Sequence, residues 1–197
     1  MIVYYTNMRH KDDNKSEAIF QATIQLLNEI GFSDISMSKI AKRANVSPST
    51  IYVYFENKED MLKKLYLNVK EKMSLKMLHG INETTPIQAG FELIMSNLKD
   101  FVLDNKDYFL FLEQFTNSPL IARMCLDESI GFFRTLHEFV QKGQQQQLLK
   151  QVDANLLLMY CYYPVTQMAK EHFKGAVVFN QEKLKEITQM SWDAIQA

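Results

Sequence analysis

The sequence contains little of what catalysis, metal binding or covalent cross-linking requires. Its 197 residues include only two cysteines, Cys125 and Cys161, which are too far apart for a CxxC motif. The four histidines are scattered and lack the paired spacing of a metal site. The motifs HExxH, GxSxG, GxGxxG and the P-loop do not occur. We therefore predict no enzyme activity, no catalytic residue, no cofactor and no metal site.

Long apolar runs and a leader sequence are also missing. The most apolar stretch, Leu156–Val165, has about ten residues and contains Pro164, whereas roughly 20 are needed to span a bilayer. The start MIVYYTNMRH has neither a basic n-region nor a long apolar run, and Met8 is an alternative start to Met1. Together with the low cysteine content, these features predict a cytoplasmic protein that does not enter a membrane.

The composition is that of a folded protein with an uneven charge. Hydrophobic residues make up 47% of the chain, which is enough for a sizeable core. The formal net charge is −1, but residues 1–80 carry +3 and residues 81–197 carry −4. A basic front part favours contact with phosphates in that part of the chain.

The N-terminal region is predicted to begin with a polar arm over residues 1–12. Asn14 followed by Glu17 has the spacing of a capping box, which predicts a helix that starts there and runs to about Ile30. Gly31 is expected to end this helix because glycine adopts the left-handed conformation of a helix C-terminus.

Residues 36–55 predict two short helices joined by a tight turn. Ser36 and Ser38 are candidate N-caps of a helix that reaches Ala44, and Asn45 tolerates the left-handed conformation that a tight turn needs. Ser47 is expected to cap the second helix, with Pro48 at its first position and with Ile51 and Phe55 pointing inward. This arrangement is the helix-turn-helix plan. A third helix, capped by Asn57, follows to about Leu78.

The run IAKRANVSPSTIYVYFENKEDML resembles the signature of the TetR family of transcriptional regulators. The resemblance covers about residues 14–66, with Asn45 at the usual turn glycine and with Pro48 and Ser49 as further departures. It implies an all-α protein with two domains. The first, over 12–72, is a three-helix DNA-binding head whose recognition motif lies at about 36–55. The second, over 73–197, is a helical body for ligand binding and dimerisation.

The DNA contacts are expected at the start of the second short helix and around it. Pro48, Ser49 and Val53 are small enough for the major groove, and Pro48 and Val53 can touch thymine methyl groups. Other side chains can donate to phosphates, which orient the protein without reading bases. The complete predicted set is Ser38, Lys39, Ser47, Pro48, Ser49, Thr50, Tyr52, Val53, Tyr54 and Lys58.

The C-terminal body is predicted to be a series of helices that begins after the turn-rich segment 80–86. By resemblance, segments 153–172 and 181–196 form the interface of a homodimer. A mixture of aromatic, methionine and polar side chains predicts a pocket for a small apolar or amphipathic ligand. The predicted pocket residues are Phe91, Met95, Phe109, Phe115, Met124, Phe133, His137, Tyr160, Tyr163 and Gln167.

The sequence thus predicts a DNA-binding transcriptional regulator, in the form of a homodimeric repressor that binds a near-palindromic double-stranded operator and is released by a ligand. Two alternatives stay open at this stage. One is a DNA-binding dimer without a small-molecule effector, controlled by a protein partner. The other is a helical lipid- or drug-binding protein in which the motif is only a corner. The operator sequence and the choice between repressor and activator also stay open.

Overall fold

The structure, a computed structural model, describes residues 3–116, 131 and 133–197, with side chains from Lys15 onward. The described residues form α-helices with short connections and one isolated bridge between Leu149 and Gln196, in agreement with the predicted all-α class. Within these ranges, no helix is both long and apolar enough to cross a membrane. The helices are α1 (Val3–Asp34), α2 (Met37–Arg43), α3 (Pro48–Tyr54), α4 (Lys58–Met77), α5 (Ile87–Asp104), α6 (Lys106–Thr116), α7 (Arg134–Gln145), α8 (Ala154–Phe173) and α9 (Gln181–Ile195).

The helices group into two compact units. The first unit contains α1 to α3, α4 as far as Val69, and α6 from Asp107. The second contains the rest of α4, α5, and α7 to α9. The division within α4 falls close to the predicted border at 72/73. Helix α6 packs within the first unit, although its segment lies in the part of the sequence, 73–197, that was predicted to form the C-terminal body.

The N-terminal helix is longer than predicted. The polar arm over residues 1–12 and the start at Asn14 are wrong, because α1 already begins at Val3. Residues 3–13 contain neither glycine nor proline, so nothing in this segment prevents a helix from extending toward the N-terminus. Gly31 does leave the helical conformation, with φ 73° and ψ 177°, as expected of the glycine at this point.

The helix-turn-helix segment has the predicted caps and turn. The Ser36 side chain accepts a hydrogen bond from the Lys39 amide, and the Ser47 side chain accepts one from the Thr50 amide. Asn45 has a φ of 55°, so the turn between α2 and α3 uses the predicted left-handed residue. The starts of both short helices and the turn between them therefore lie at the residues predicted from the caps and from Asn45.

The core of the first unit is built from apolar residues of all its helices. Ile19, Ile40 and Ile51 are fully buried on α1, α2 and α3. The buried Thr23 hydroxyl is satisfied because it donates to the carbonyl of Ile19 at 2.7 Å. Buried residues also line α4, where Met61, Leu62, Leu65, Tyr66 and Val69 repeat at helical spacing.

Helix α6 belongs to the first unit because of its aromatic and polar contacts with α1 and α4. The Phe115 ring lies 4.7 Å from the Phe32 ring and 5.3 Å from the Tyr66 ring, measured between centroids. Asn28 donates to the Asp107 carbonyl at 3.0 Å and accepts from the Gln114 amide at 3.1 Å. These tertiary contacts are not visible in the local sequence pattern of α6.

The second unit has its own core around α5 and α8. Helix α5 contacts α7, α8 and α9, and α8 contacts both α7 and α9. The Phe91 ring on α5 packs against the Trp192 ring on α9 at 5.4 Å. The buried Asn97 amide donates to the carbonyls of Met77 at 3.2 Å and His79 at 2.8 Å, so it caps the C-terminal end of α4.

Gly143 provides a test of the packing in the second unit. An alanine Cβ at this position would lie 2.6 Å from Leu149 Cδ1, 2.8 Å from Leu149 Cγ and 3.1 Å from Ile87 Cγ2. We expect Gly143→Ala to lower the free energy of unfolding by about 1–2 kcal/mol, because overpacking outweighs the better helix propensity of alanine. Thermal unfolding followed by circular dichroism measures the change.

The control for this prediction is Gln145→Ala, at an exposed position of the same helix. We expect this variant to change the free energy of unfolding by less than about 0.5 kcal/mol. A Gly143→Ala protein as stable as the control would contradict the close packing between α7 and the segment after it.

Candidate DNA interface and ligand pocket

Helix α3 presents one buried face and one exposed face. Ile51 is fully buried, and Phe55, which ends the helix, is 3% exposed. With about 100° of rotation per residue, Ser49 and Val53 each lie about 160° from Ile51, on the outward face. Val53 is 76% exposed and the neighbouring Tyr52 is 57% exposed. The second short helix thus displays the side chains that were predicted to meet DNA.

The start of α3 carries three hydroxyl groups that bond to one another. Ser47 Oγ lies 2.8 Å from Ser49 Oγ and 2.8 Å from Thr50 Oγ1. The same Ser47 oxygen accepts from the Thr50 amide at 3.2 Å. These bonds fix the rotamers of small polar groups at the end of the helix where a groove would be entered.

The N-terminal part of α4 holds the two short helices in position. Lys58 Nζ donates to the carbonyls of Phe32 and Ile35, each at 3.0 Å. Lys64 Nζ donates to the Tyr54 carbonyl at 3.3 Å and pairs with Asp60 at 2.8 Å. Lys58 was predicted to contact phosphate, and in this structure its ammonium group joins the end of α1 and the following residue Ile35 to α4. The supporting role of Lys64 was not predicted.

Asp60 is part of the cap at the start of α4. Its amide donates to Asn57 Oδ1 at 2.8 Å, and its carboxylate accepts from the Glu56 amide at 3.1 Å. Partial burial acts against ionisation, but the hydrogen bonds from Lys64 and from the Glu56 amide hold the pKa of Asp60 below its ordinary value. The carboxylate therefore stays charged where it caps the helix.

Two cations of α2, Lys39 and Arg43, already have partners within the first unit. Arg43 forms a two-bond pair with Glu29, at 2.8 Å and 2.5 Å. The hydrogen bond from Arg43 lowers the pKa of Glu29, and the same bond raises the pKa of Arg43. Lys39 Nζ donates to the Asp34 carbonyl at 2.7 Å. A phosphate beside α2 would therefore meet the Lys39 and Arg43 cations, which are already oriented by these acceptors.

The predicted DNA-contact residues are accessible on one unit of the protein. Three of them, Thr50, Tyr54 and Lys58, are half-buried at the edges of α3 and α4. The exposed ones are Ser38, Lys39, Ser47, Pro48, Ser49, Tyr52 and Val53. Their individual contacts with DNA stay a prediction.

The second unit contains an open pocket of about 320 Å³. Its walls come from α4, α7 and α8 and are mainly aromatic and aliphatic. The polar groups are few, which is typical of a site for a small apolar molecule. The lining residues are Lys70, Met77, Phe133, Leu136, His137, Asn155, Leu158, Met159, Cys161, Tyr162 and Tyr163.

Three of the ten predicted pocket residues, Phe133, His137 and Tyr163, line this pocket. Phe91 lines a separate closed cavity of about 10 Å³, and Met95 is buried outside both. Tyr160 and Gln167 are exposed on α8 and do not line the pocket. Met124 lies outside the described residues.

Phe109 and Phe115 were placed in the ligand pocket by the sequence and are located elsewhere. Both are buried in the core of the first unit, where Phe115 stacks on Tyr66. The reason is that α6 packs against α1 and α4, so its aromatic residues fill that core.

The pocket residues that sequence reasoning missed follow a helical spacing on α8. Leu157, Cys161 and Val165 are buried at intervals of four residues, and Leu158 and Tyr162 lie beside this buried stripe. The signal was therefore present on α8 itself. The contributions of Lys70 and Met77 from α4 had no comparable signal, because they depend on tertiary packing.

Two titratable side chains of the pocket have defined surroundings. The ring nitrogens of His137 lie 2.9 Å from the Phe133 carbonyl oxygen and 2.8 Å from Asn155 Oδ1, within hydrogen-bond distance. Burial raises the pKa of the Cys161 thiol to about 12, so this group stays protonated and unreactive at neutral pH. Among the described residues, no three His, Cys, Asp or Glu side chains are close enough together to hold a metal ion.

Helix α8 also has an exposed apolar face. Leu156, Met159, Tyr160 and Tyr163 are each between 45% and 56% exposed and recur at intervals of three or four residues. On α9, Met190 is 72% exposed. Exposed apolar side chains that repeat along one helix face are typical of a protein interface.

Comparison with known proteins agrees with this architecture. The family described as "Bacterial regulatory proteins, tetR family" matches residues 19–65, and the family described as "Tetracyclin repressor-like, C-terminal domain" matches residues 86–196. The crystal structure of a TetR family transcription regulator from Marinobacter aquaeolei has a TM-score of 0.89 and 27% identity, covering 95% of this chain and 98% of that one.

Two curated relatives match over most of the chain. A protein of Haemophilus influenzae, named an uncharacterized HTH-type transcriptional regulator, is 27% identical over 96% of this chain and 100% of its own length. The fatty acid metabolism regulator protein of Bacillus subtilis is 32% identical over 68% of this chain and 70% of its own length.

The two family matches cover the helix-turn-helix segment and more than half of the chain in the C-terminal region. The described helices have the arrangement of the matching regulator structure over nearly its full length. The protein belongs to the TetR family of DNA-binding transcriptional regulators.

Proposed function

We propose that the protein is a homodimeric repressor that binds a near-palindromic operator and leaves it when an apolar or amphipathic ligand binds. In this proposal residues 12–72 act as the DNA-binding domain, and residues 73–197 act as the domain for ligand binding and dimerisation. The observation that carries the DNA part is the outward face of α3, where Ser49, Tyr52 and Val53 are exposed while Ile51 and Phe55 anchor the helix.

The apolar face of α8 supports a dimer. A soluble protein rarely leaves four large apolar side chains exposed on one helix face unless another surface covers them. A second copy of the chain is the natural partner, because a two-fold axis lets the same face cover itself. The same axis would bring two recognition helices to half-sites about 34–36 Å apart along the DNA.

The pocket supports a ligand rather than control by a protein partner alone. Its volume of about 320 Å³ is at the lower end of the range of roughly 300–1,000 Å³ for small-molecule sites. The Bacillus subtilis relative is named a fatty acid metabolism regulator. We therefore propose a molecule with an acyl chain as the ligand class. Release then follows if this ligand binds the DNA-incompetent state more tightly.

The DNA-binding part is tested by selecting an operator from random-sequence DNA and measuring binding by fluorescence anisotropy. We expect affinity to fall steeply with salt, because phosphate contacts release counterions. Tyr52→Phe should weaken binding to operator and to unrelated DNA alike, by about tenfold, since it removes a proposed phosphate contact. Tyr108→Phe, which is on α6 and outside the predicted DNA-contact set, should bind as the parent protein does. Failure to select any DNA sequence would reject the operator proposal.

The dimer is tested with Tyr160→Glu, which places a charge on the exposed face of α8. We expect the dissociation constant of the dimer to rise by about 100-fold or more, because each copy would bury an unpaired carboxylate. Sedimentation velocity at a series of concentrations measures this change. Leu75→Glu is the control, since Leu75 is 67% exposed on α4 and lies outside the proposed interface. Equal effects of the two variants would contradict an interface on α8.

The ligand part is tested with straight-chain fatty acids from C8 to C18 and their coenzyme A thioesters. We expect at least one of them to lower the anisotropy of a labelled operator complex. Asn155→Phe should abolish this release because the ring fills the pocket, whereas Asn155→Ala should preserve it. Both variants lose the hydrogen bond to His137, so only the filled volume differs between them.

Release that persists with Asn155→Phe would show that the acyl ligand binds elsewhere. If no member of the series releases the operator, the acyl class is rejected. Control of a DNA-binding dimer by a protein partner then becomes the better explanation.

A further inference from the structure

The outward face of α3 ends in an apolar side chain that the fold does not use. Val53 is 76% exposed and is situated directly opposite the buried Ile51. Val53 is not part of the core of the first unit, to which this helix contributes Ile51 and the residue that ends it, Phe55. Its side chain is therefore available for contact with another molecule.

Helix stability does not explain a valine at this position. A β-branched side chain loses rotamer freedom in a helix, so valine is a weaker helix former than alanine, lysine or glutamate. Helix α3 has only seven residues, and a valine that is 76% exposed contributes little to its packing. An exposed residue that does not favour the helix is a candidate for contact with another molecule.

The polar groups beside Val53 are already paired within the helix start. The hydroxyls of Ser47, Ser49 and Thr50 form a connected set, with both oxygen–oxygen distances at 2.8 Å. None of these residues is an arginine, asparagine or glutamine, the side chains that read a base by two hydrogen bonds. Among the exposed side chains of α3, only Pro48 and Val53 are purely apolar, and Val53 is the one that lies on the outward face opposite Ile51.

We propose that Val53 reads the C5-methyl group of a pyrimidine in the major groove. The proposal rests on operator binding through α3. It adds the chemical group that is recognised and the residue that recognises it. A thymine displays a C5-methyl group and an O4 acceptor on this edge, and only the methyl group matches an aliphatic side chain. We therefore expect an A·T pair in each half-site opposite Val53, with its thymine facing the helix.

Methylated cytosine carries the same methyl group as thymine on a different hydrogen-bonding edge. 5-Methylcytosine has its methyl group at the same ring position as thymine but a donor in place of the O4 acceptor. A residue that reads only the methyl group should distinguish 5-methylcytosine from cytosine as well as it distinguishes thymine from uracil. A residue that reads the hydrogen-bonding edge would not.

The test is a double-mutant cycle on the selected operator. Each thymine is replaced in turn by deoxyuridine, and affinities are measured for the parent protein and for Val53→Ala. We expect one symmetric pair of positions where loss of both methyl groups weakens the parent by about 15-fold, or about fourfold per half-site. At these positions the affinities of Val53→Ala for the thymine and uracil operators should agree within about twofold, because the alanine side chain is too short to reach the methyl group.

A second arm separates the methyl group from the rest of the base. At the same positions a C·G pair is introduced with cytosine or 5-methylcytosine. We expect methylation to strengthen binding of the parent protein by a similar factor and to leave Val53→Ala unchanged. Ser49→Ala is the matched control, because Ser49 shares the outward face but lies one helical turn away. It should keep the full methyl dependence at the Val53 positions.

The outcomes are distinct. Full thymine–uracil discrimination by Val53→Ala at every position would overturn the proposal, and so would a parent protein that ignores methyl groups throughout the operator. Either result leaves operator binding itself intact. Failure of both proteins to bind any selected DNA would instead reject the proposed function. Val53 is exposed, so Val53→Ala is expected to fold as the parent does, and circular dichroism checks this.

Discussion

The anchoring of α3 is the constraint on which the DNA-facing surface depends. A helix of seven residues is far below the roughly 12–15 residues needed for marginal stability alone in water. It is held by Ile51 and Phe55 in the core, by the Ser47 cap at one end and by Lys64 at the other. These contacts lie on the inner side of α3 and at its ends, so the outer face stays exposed, as the proposed DNA recognition requires. The residues that stabilise α3 and the residues proposed to contact DNA therefore lie on opposite faces of this helix.

Lys58, which was predicted to contact phosphate, and Lys64, which was not, both have partners within the first unit. Lys58 bonds to carbonyls at 32 and 35, and Lys64 bonds to Tyr54 and Asp60. Such bonds satisfy carbonyl groups at helix ends that would otherwise depend on water. They also mean that a positive charge near the DNA-facing surface is fixed in position before any phosphate arrives. A preorganised charge loses less conformational entropy on binding than a mobile one.

The head was predictable from sequence because its signals are local. Ser47, Pro48 and Asn45 act through their own backbone neighbours, and each was found in its predicted role. The pocket was less predictable because a pocket is defined by residues from separate helices. Periodicity identifies Phe115 as buried but not the core in which it is buried, and α6 joined the first unit through Phe32 and Tyr66. The start of α1 was missed for a different reason, since a good cap at Asn14 does not stop a helix that can extend past it.

The wall between the open pocket and the closed cavity of the second unit is thin. Cys161 lines both, and Trp192 lines the closed cavity beside it. Trp192 is also the single tryptophan of the chain. The tryptophan fluorescence of the protein therefore comes from one ring behind the pocket, with no contribution from the DNA-binding part. The chain contains its own optical probe, whose signal can follow events in the second unit while a labelled operator follows events at α3.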